Sequence, residues 1–402
     1  MKAKWLSIIG ISEDGLKGLT PAARAIVDNA EVFVGGARHL AMVPEDGRER
    51  LTWPSPIRAL LPEIEKLRGR RVCVLATGDP LHYGVGTTIL RGVDIDEVTI
   101  VPSRSAFTMA TARLGWTRHE VECLTLHGRA FSILNTYVQP GAKLLILTDD
   151  GSTPGKIANA LCDMGYSESR INVFERMDSA SEGKVQSTAA DWLGAETGDF
   201  NTVAVECIAG PDATSRSRIP GLADEACVND GQLTKREVRA MTLAALCPTP
   251  GEMLWDVGAG CGSVAIEWMR VHPRNEAVAM ESNPDRVQII AANAEALGTP
   301  GLHIIAGRAP TAFSELPAPD AIFIGGGLSN GGLIEASWTA LRSGGRLVAN
   351  VVTVEGERRL MDWREAYGGE LTRVSVERAE PVGRFTGWRP AMTVTQYSGA
   401  KP

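Results

Sequence analysis

Residues 254–263 read Leu254-Trp255-Asp256-Val257-Gly258-Ala259-Gly260-Cys261-Gly262-Ser263. The apolar run ending at Val257 predicts a buried strand, the alternating glycines a tight turn, and Ser263–Val271 a helix. Glycine makes such a turn without a Cβ penalty and lets the backbone approach a ligand closely. The spacing narrows the ligand. A dinucleotide fingerprint is G-x-G-x-x-G, with the diphosphate on the following helix N-terminus. Here the glycines fall at 258, 260 and 262, and position 263 is serine. That spacing argues against a nicotinamide-dependent dehydrogenase. A second acid, Glu281, closes the next predicted strand, where a carboxylate can accept both hydroxyls of a ribose. The combination predicts a nucleoside cofactor.

Strands and helices alternate around this turn. Leu233–Leu246 predicts an amphipathic helix, with Thr234 as N-cap and Glu237 completing a capping box. Strands are predicted at Met253–Val257, Ala277–Met280, Leu302–Ala306, Ala321–Ile324 and Arg346–Val352, with Leu371–Arg378 and Met392–Tyr397 as a closing pair. Helices are predicted at Ser263–Val271, Pro284–Leu297, Leu333–Leu341 and Glu357–Tyr367. This is the pattern of a Rossmann-like, doubly wound sheet with its ligand at the carboxyl ends of the strands. Upstream, Pro211, Ser215, Ser217, Pro220 and Gly221 sit in a stretch without apolar periodicity, which predicts a linker. The first half alternates independently, with strands predicted at Trp5–Gly10, Glu31–Val34, Arg71–Leu75, Glu97–Val101, Lys143–Leu147, Arg170–Phe174 and Thr202–Ile208. The expected organisation is therefore an α/β domain over 1–209, a linker over 210–228 and a second α/β domain over 229–402.

The 402 residues suit two domains, and 44% hydrophobic with 22% charged residues is a globular composition. No apolar run reaches the ~20 residues of a membrane span, so no membrane partner is expected. Lys2 and Lys4 ahead of Trp5–Ile11 superficially suggest a signal peptide. The apolar stretch is short, however, and Glu13-Asp14 stand where a small-residue cleavage site belongs. A first strand is the better reading, and the cytoplasm is the expected compartment. The seven cysteines are scattered without a C-x-x-C pair, which argues against disulfides and against a metal site. A formal charge of −7 opposes a nucleic-acid partner, yet a local arginine cluster can still bind a small polyanion.

The G-x-G-x-G turn behind Asp256 resembles the first motif of class I methyltransferases, which use S-adenosylmethionine. Thr234–Arg239, Glu267-Trp268, Gly307-Arg308-Ala309-Pro310, Pro319–Gly327, Gly344–Asn350 and Thr353-Val354-Glu355 follow in order with it. This series, spanning 229–402, resembles the decarboxylating precorrin-6Y methyltransferase domain, which methylates C15 of a corrin precursor. The resemblance implies that Gly258, Ala259, Gly260, Gly262 and Ser263 hold the methionine end of the cofactor. Glu281 would take the ribose, Gly307, Arg308 and Ala309 would lie by the adenine, and Gly325, Gly326 and Gly327 would line the reacting methyl. Plainer readings are a flexible loop for Gly325–Gly327 and a solvated surface side chain for Arg308. Asn350 ends a predicted strand and is either a buried cap or a substrate contact. The resemblance also implies a homo-oligomer, in tetramer form through this domain.

In the first half, Gly78-Asp79-Pro80-Leu81-His82-Tyr83-Gly84 follows an apolar strand. Alone it is an ordinary turn. With Ile9-Gly10-Ile11, Ala30–Gly36, Pro102-Ser103-Arg104-Ser105-Ala106-Phe107, Leu126-His127-Gly128-Arg129 and Leu147–Gly151 in order, it resembles the tetrapyrrole methylases, in particular the C5-methylating corrin enzyme. That fold has two stacked α/β subdomains, and the resemblance covers about 3–209. It implies a second S-adenosylmethionine site on Gly78, Asp79, Pro80, Tyr83, Ser103, Ser105 and Ala106. Ser12-Glu13-Asp14-Gly15 departs from the proline and glycine pair common after the first strand in that superfamily.

The implied function is methylation of C5 and C15 of a reduced precorrin-6, with loss of the ring C acetate carboxyl, to give precorrin-8 in cobalamin synthesis. An RNA or protein methyltransferase stays open as the alternative, since both folds have such relatives; a non-enzymatic sensor of the cofactor is the third. A sulfonium carries its own leaving group, so no nucleophilic triad is required. A polycarboxylate substrate calls for arginines. Candidates are Arg236, Arg239, Arg384 and Arg389 in the second half, with Arg104 and Arg129 in the first. His82 and His127 are either substrate contacts or hydrogen-bonded loop residues, and Trp388 either stacks on the ring or fills the core.

Overall fold

The computed structural model describes residues 4–192, 194–214, 216–329 and 331–402; Lys2 and Ser215 of the expectations above lie outside the described residues. Two compact units form. One comprises Met1–Arg129 with Pro140–Thr214, the other Ala130–Gln139 with Ser215–Pro402.

The first unit holds two sheets. β1 (Leu6–Ile11), β2 (Val32–Gly35), β3 (Glu49–Thr52), β4 (Val72–Thr77) and β5 (Val98–Val101) pair in the order β3-β2-β4-β1-β5, all parallel. Ile8 and Val74 face one apolar layer and Ile9 and Leu75 the other. Burial on both faces is why these strands read as unbroken apolar runs. β6 (Val121–Thr125), β7 (Lys143–Leu147), β8 (Arg170–Glu175), β9 (Gly183–Thr188) and β10 (Asn201–Glu206) pair in the order β6-β7-β10-β8-β9; β6 and β7 are parallel and the other pairs antiparallel. β3, β6 and β9 have no counterpart among the predicted strands. All three are edge strands, and Glu-Arg-Leu-Thr or Gly-Lys-Val-Gln-Ser-Thr carries too little apolar signal to stand out.

The second unit is a seven-stranded sheet. β11 (Met253–Val257), β12 (Glu276–Glu281), β13 (His303–Ala306), β14 (Ala321–Ile324), β15 (Arg346–Val351), β16 (Glu370–Val374) and β19 (Val394–Ala400) take the order β13-β12-β11-β14-β15-β19-β16, with β19 antiparallel to both neighbours. β17 (Glu377–Val382) and β18 (Phe385–Pro390) form a separate antiparallel hairpin. Strand order reverses between β11 and β14, and such a switch point opens a crevice at the strand ends. Both halves are α/β, the first built from two separate five-stranded sheets and the second from one doubly wound sheet.

Two expectations need correction. The stretch 210–228 is not a free linker, because Leu222 and Cys227 are buried in the core beside Leu243, Cys261 and Trp268. The backbone N–H groups of Gly221 and Leu222 donate to Glu267 at 2.6 and 3.2 Å, which satisfies an irregular segment that would otherwise bury orphan donors. The helix expected from Leu233 starts at Arg236 behind Lys235, and its first N–H, that of Arg236, donates to Asp224 Oδ1 at 2.9 Å rather than to a capping side chain at 234. Thr234 instead offers its carbonyl to Arg239.

Candidate active sites

The carboxyl ends of β11, β12, β14 and β15 surround a cleft of about 1050 Å³, at the top of the ~300–1000 Å³ usual for small-molecule sites. Gly258, Ala259, Gly260, Ser263, Glu281, Gly307, Arg308, Ala309, Gly325, Gly326, Gly327 and Asn350 all line it. The turn and the Gly325–Gly327 loop form one floor. A Cβ on Gly258, at φ +71°, would lie 3.0 Å from the Gly326 nitrogen, so a side chain there would wedge the loops apart. Gly262 does not line the cleft. It faces Ile290 on the helix Pro284–Ala296, where a Cβ would come to 2.9 Å, so its role is close packing of helix against turn.

Glu281 ends β12 and is 6% exposed. Its Oε2 accepts the Gly260 N–H at 3.0 Å and its Oε1 the Asn283 N–H at 2.9 Å. Each oxygen keeps a lone pair, and the two bonds fix the carboxylate at the cleft wall. Asp256 lies buried under the turn. Its Oδ2 accepts the Ala265 N–H at 3.1 Å, whereas Oδ1 has no partner. Burial pushes its pKa up to about 7 despite that bond. In the turn itself, the hydrogen bond between the Cys261 and Cys227 thiols lowers the pKa of Cys261 against the effect of burial and, together with burial, raises that of Cys227. Asn350 is clamped: its Nδ2 donates to Thr242 Oγ1 at 2.8 Å, and its Oδ1 accepts from Gln396 Nε2 at 2.9 Å.

The arginines divide. Arg239 is not a substrate contact. It is fully buried, bonded to Glu267 Oε1 at 2.6 Å, the Thr234 carbonyl at 2.6 Å and the Leu222 carbonyl, with Asp224 at 3.4 Å. Its guanidinium pins the irregular segment before helix Arg236–Leu246 onto the core. Arg236 and Arg384 do not line the cleft either; Arg384 packs on Phe385, 5.0 Å from the ring centre. Arg389 does line it. Trp388 is 73% exposed, so it is no core residue, and the register β17–β18 puts it on the hairpin face opposite Arg389. It does not reach the cleft.

In the first unit, the loop after β4 crosses the end of β1. Gly78 donates to the Ile11 carbonyl at 3.2 Å and its own carbonyl accepts the Ser103 N–H at 3.0 Å. A Cβ on Gly10 would meet the Gly78 oxygen at 1.9 Å, so only glycine permits the crossing. A Cβ on Gly78 would lie 2.9 Å from the Arg104 carbonyl. The structure therefore brings Gly78–Tyr83 together with Ser103–Ala106. Asp79 Oδ1 accepts the Leu81 N–H at 2.9 Å. Ser105 caps the helix Ala106–Leu114 through Thr108 N–H at 3.1 Å. His82 packs 4.6 Å from the Phe107 ring and 5.3 Å from Tyr83. Burial, then Arg118, lowers its pKa, so its imidazole is neutral at pH 7. Tyr83 sits at φ +58° with its hydroxyl on the Cys123 carbonyl, and Arg129 lies 5.4 Å over its ring. Arg104 is held by Asp14 and Asp178 at 3.2 and 3.1 Å, and His127 by Asp149 at 3.2 Å.

Comparison with known proteins agrees in both halves. The tetrapyrrole (corrin/porphyrin) methylases match residues 6–191 and the precorrin methyltransferase domain matches 225–401. A decarboxylating precorrin-6Y C(5,15)-methyltransferase from Sinorhizobium sp is 42% identical over 398 residues, 99% of this chain and 96% of its own. The chain belongs to the decarboxylating precorrin-6Y C(5,15)-methyltransferase family. A protein of that name from Mycobacterium tuberculosis is 39% identical over 98% of this chain and 99% of its own. The crystallised C-terminal domain of a precorrin-6Y C5,15-methyltransferase from Rhodobacter capsulatus is 41% identical over 46% of this chain and all of that domain, with a TM-score of 0.44.

Some cleft residues of this family member escape sequence reasoning. Arg286 and Arg378 line the cleft, yet neither sits in a glycine turn or at the end of an apolar strand; Gln232 and Lys235 line it as well, the latter inside the Thr234–Arg239 series but without a role assigned to it. Arg378 carried no signal beyond being an arginine in a half-polar strand. Among the described residues, no group of three or more His, Cys, Asp or Glu is placed to hold a metal ion, and no helix is long and apolar enough to cross a membrane.

Proposed function

We propose that the chain has two S-adenosylmethionine sites and no catalytic metal. Residues 229–402 methylate C15 and release CO2 from the ring C acetate, and residues 1–209 methylate C5. The chain is a cobalamin-biosynthetic enzyme, an S-adenosylmethionine-dependent C-methyltransferase that also decarboxylates its tetrapyrrole substrate. The division of labour follows the two family matches, residues 6–191 and 225–401. The observation that carries the second site is the convergence of Gly258–Gly260, Glu281, Gly307–Ala309 and Gly325–Gly327 on one cleft.

The residues fit the cofactor. Glu281, already oriented by two backbone N–H groups, is the ribose acceptor, and the absence of a Cβ at Gly258 lets the turn close on Gly326, so that the two loops form the floor against which the methionine end lies. When bound, S-adenosylmethionine supplies a methyl group on a sulfonium that is its own leaving group. The protein has to align donor and acceptor and exclude water, for which good alignment contributes ~7–11 kcal/mol. Gly325–Gly327 present backbone without side chains where the ring must approach. Asn350, locked by Thr242 and Gln396, offers its remaining N–H and lone pair as a fixed contact. Attack by the enamine-like meso carbon leaves a ring iminium. The C–CO2 bond of the adjacent acetate then breaks, its electron pair neutralises the iminium, and CO2 departs. In the first site, Gly78, Asp79, Pro80, Tyr83, Ser103, Ser105 and Ala106 form the cofactor loops, with His82 and Arg104 beside the acceptor.

We place the enzyme in the cytoplasm as a homo-oligomer, a tetramer through the second domain. The exposed Val382, Phe385 and Trp388 of the hairpin support such an assembly. The division of labour is tested by mass spectrometry of products from a reduced precorrin-6, using full-length variants. Gly260→Val should abolish CO2 release, whereas Gly78→Val should still give a product with one methyl gained and one CO2 lost. CO2 release surviving Gly260→Val and lost in Gly78→Val would reverse the assignment.

A further inference from the structure

The register of the β17–β18 hairpin sets Arg378 directly opposite Arg389. Side chains opposed across an antiparallel pair share one face with Cβ atoms about 4.5–5.5 Å apart, and like charges there are destabilising unless anions attend them. Both arginines line the second unit's cleft. The anions attending them in this structure are the chain's own carboxylates. Arg378 meets Glu237 at 2.7 Å and Asp224 at 3.3 Å, and Arg389 meets Glu380 at 2.9 Å. Neither guanidinium is sealed off, for their side chains are 46% and 76% exposed. Arg389 commits only Nη1 to Glu380, so most of its fork still faces the opening.

The wider charge pattern points the same way. Lys235, Arg286, Arg308, Arg378 and Arg389 line the cleft against Glu237, Glu281 and Glu380. Asp224 and Asp230 stand behind them, paired with Arg378 and Arg286, so an acidic ligand entering here can exchange with carboxylates that the chain itself supplies. Glu281 and Arg308 belong to the nucleoside side. Arg378 and Arg389 stand beyond it on the hairpin, near the apolar Val376, Ala391 and Met392, which suits a ligand with an apolar ring body and acidic arms.

We propose that Arg378 and Arg389 form a carboxylate-binding fork that grips acidic side chains of the tetrapyrrole and seats its ring against Gly325–Gly327. This inference rests on the reading of the cleft as the site of methylation and decarboxylation. Chemistry restricts which carboxylates the fork takes. An ion pair to the acetate that is to leave would stabilise the ground state and vanish as CO2 forms, raising the barrier. The fork therefore holds carboxylates that survive the reaction. Interactions equal in ground and transition state change KM and leave kcat alone.

The test uses the full-length chain, a reduced precorrin-6 and its side-chain methyl esters. Arg389→Gln, which severs only the exposed Glu380 pair, should raise KM for the acid substrate by about tenfold, the equivalent of one charged contact. Its kcat and its S-adenosylhomocysteine affinity should stay at the wild-type values. Arg378→Gln should raise KM similarly, and Arg389→Lys should recover part of the loss. Esterification should raise the wild-type KM by a comparable factor and erase the difference between wild type and variants. An unchanged KM in both glutamine variants, or a difference that persists with the esters, overturns the fork while leaving the methylation reading intact. A wild-type enzyme that binds S-adenosylhomocysteine in this cleft but does not turn over the tetrapyrrole overturns the reading and the fork with it.

Discussion

Replacing Glu281 tests the cofactor reading at the residue where geometry is most explicit. The carboxylate accepts Gly260 N–H at 3.0 Å and Asn283 N–H at 2.9 Å, and its open lone pairs are assigned to the ribose hydroxyls. In Glu281→Ala the two N–H groups front the cleft, where water can replace the lost acceptor, so the unliganded domain should lose only about 1–2 kcal/mol. Cofactor affinity should fall further, by about 1.5–3 kcal/mol, or roughly 10- to 150-fold, because hydroxyl bonds to a charged acceptor are lost. Glu281→Gln preserves shape but sets its amide NH2 against one of the two backbone donors. It should therefore be the less stable variant without ligand, although it is the more conservative one. Calorimetry with S-adenosylhomocysteine and thermal unfolding with and without that ligand separate the two effects. Unchanged affinity together with a large loss of unliganded stability would refute the ribose assignment and leave a purely structural carboxylate.

Gly260→Val places a branched side chain at φ +61°, 3.2 Å from the Gln232 carbonyl, and calorimetry should then find one S-adenosylhomocysteine site where the intact chain should show two. Asp256 gives a pH prediction. Its folded pKa is raised from 3.8 to about 7, so the native state binds the proton more tightly, and stability is fully present below pH 4 and lost as pH rises to 7. The loss amounts to about 4 kcal/mol; Asp256→Asn should flatten that slope in denaturant unfolding followed on the second domain. Arg239→Leu breaks the buried pair with Glu267 and should cost about 3–5 kcal/mol without raising KM in protein that remains folded. Adding Glu267→Leu should recover only part of that loss, since Glu267 also holds the Gly221 and Leu222 N–H groups; full recovery would disprove the anchoring role.

What the sequence discloses and what it hides differ by range of interaction. The turn Gly258–Ser263 and the acid Glu281 are legible because their chemistry lies in local spacing: a strand end, positive-φ glycines, and a carboxylate at the end of the neighbouring strand. The central strands are legible for the same reason, since burial on both faces leaves an unbroken apolar run. Arg239 has no such local mark. At a helix start among Lys235, Arg236 and Glu237 it reads as a candidate contact for a substrate carboxylate, and only Glu267 and the carbonyls of Leu222 and Thr234, brought in by the fold, take it inside. Leu222 and Cys227 mislead in the opposite direction. Periodicity reports regular elements, so two isolated apolar residues in an irregular stretch look like linker even though their side chains complete the core. The β17–β18 hairpin is hidden because neither face is buried: Pro381, Gly383 and Pro390 suggest a loop, and the partner that makes Arg378 meaningful is Arg389 across the turn. A residue's role at the cleft mouth thus depends on register, which becomes readable only once the strands are paired.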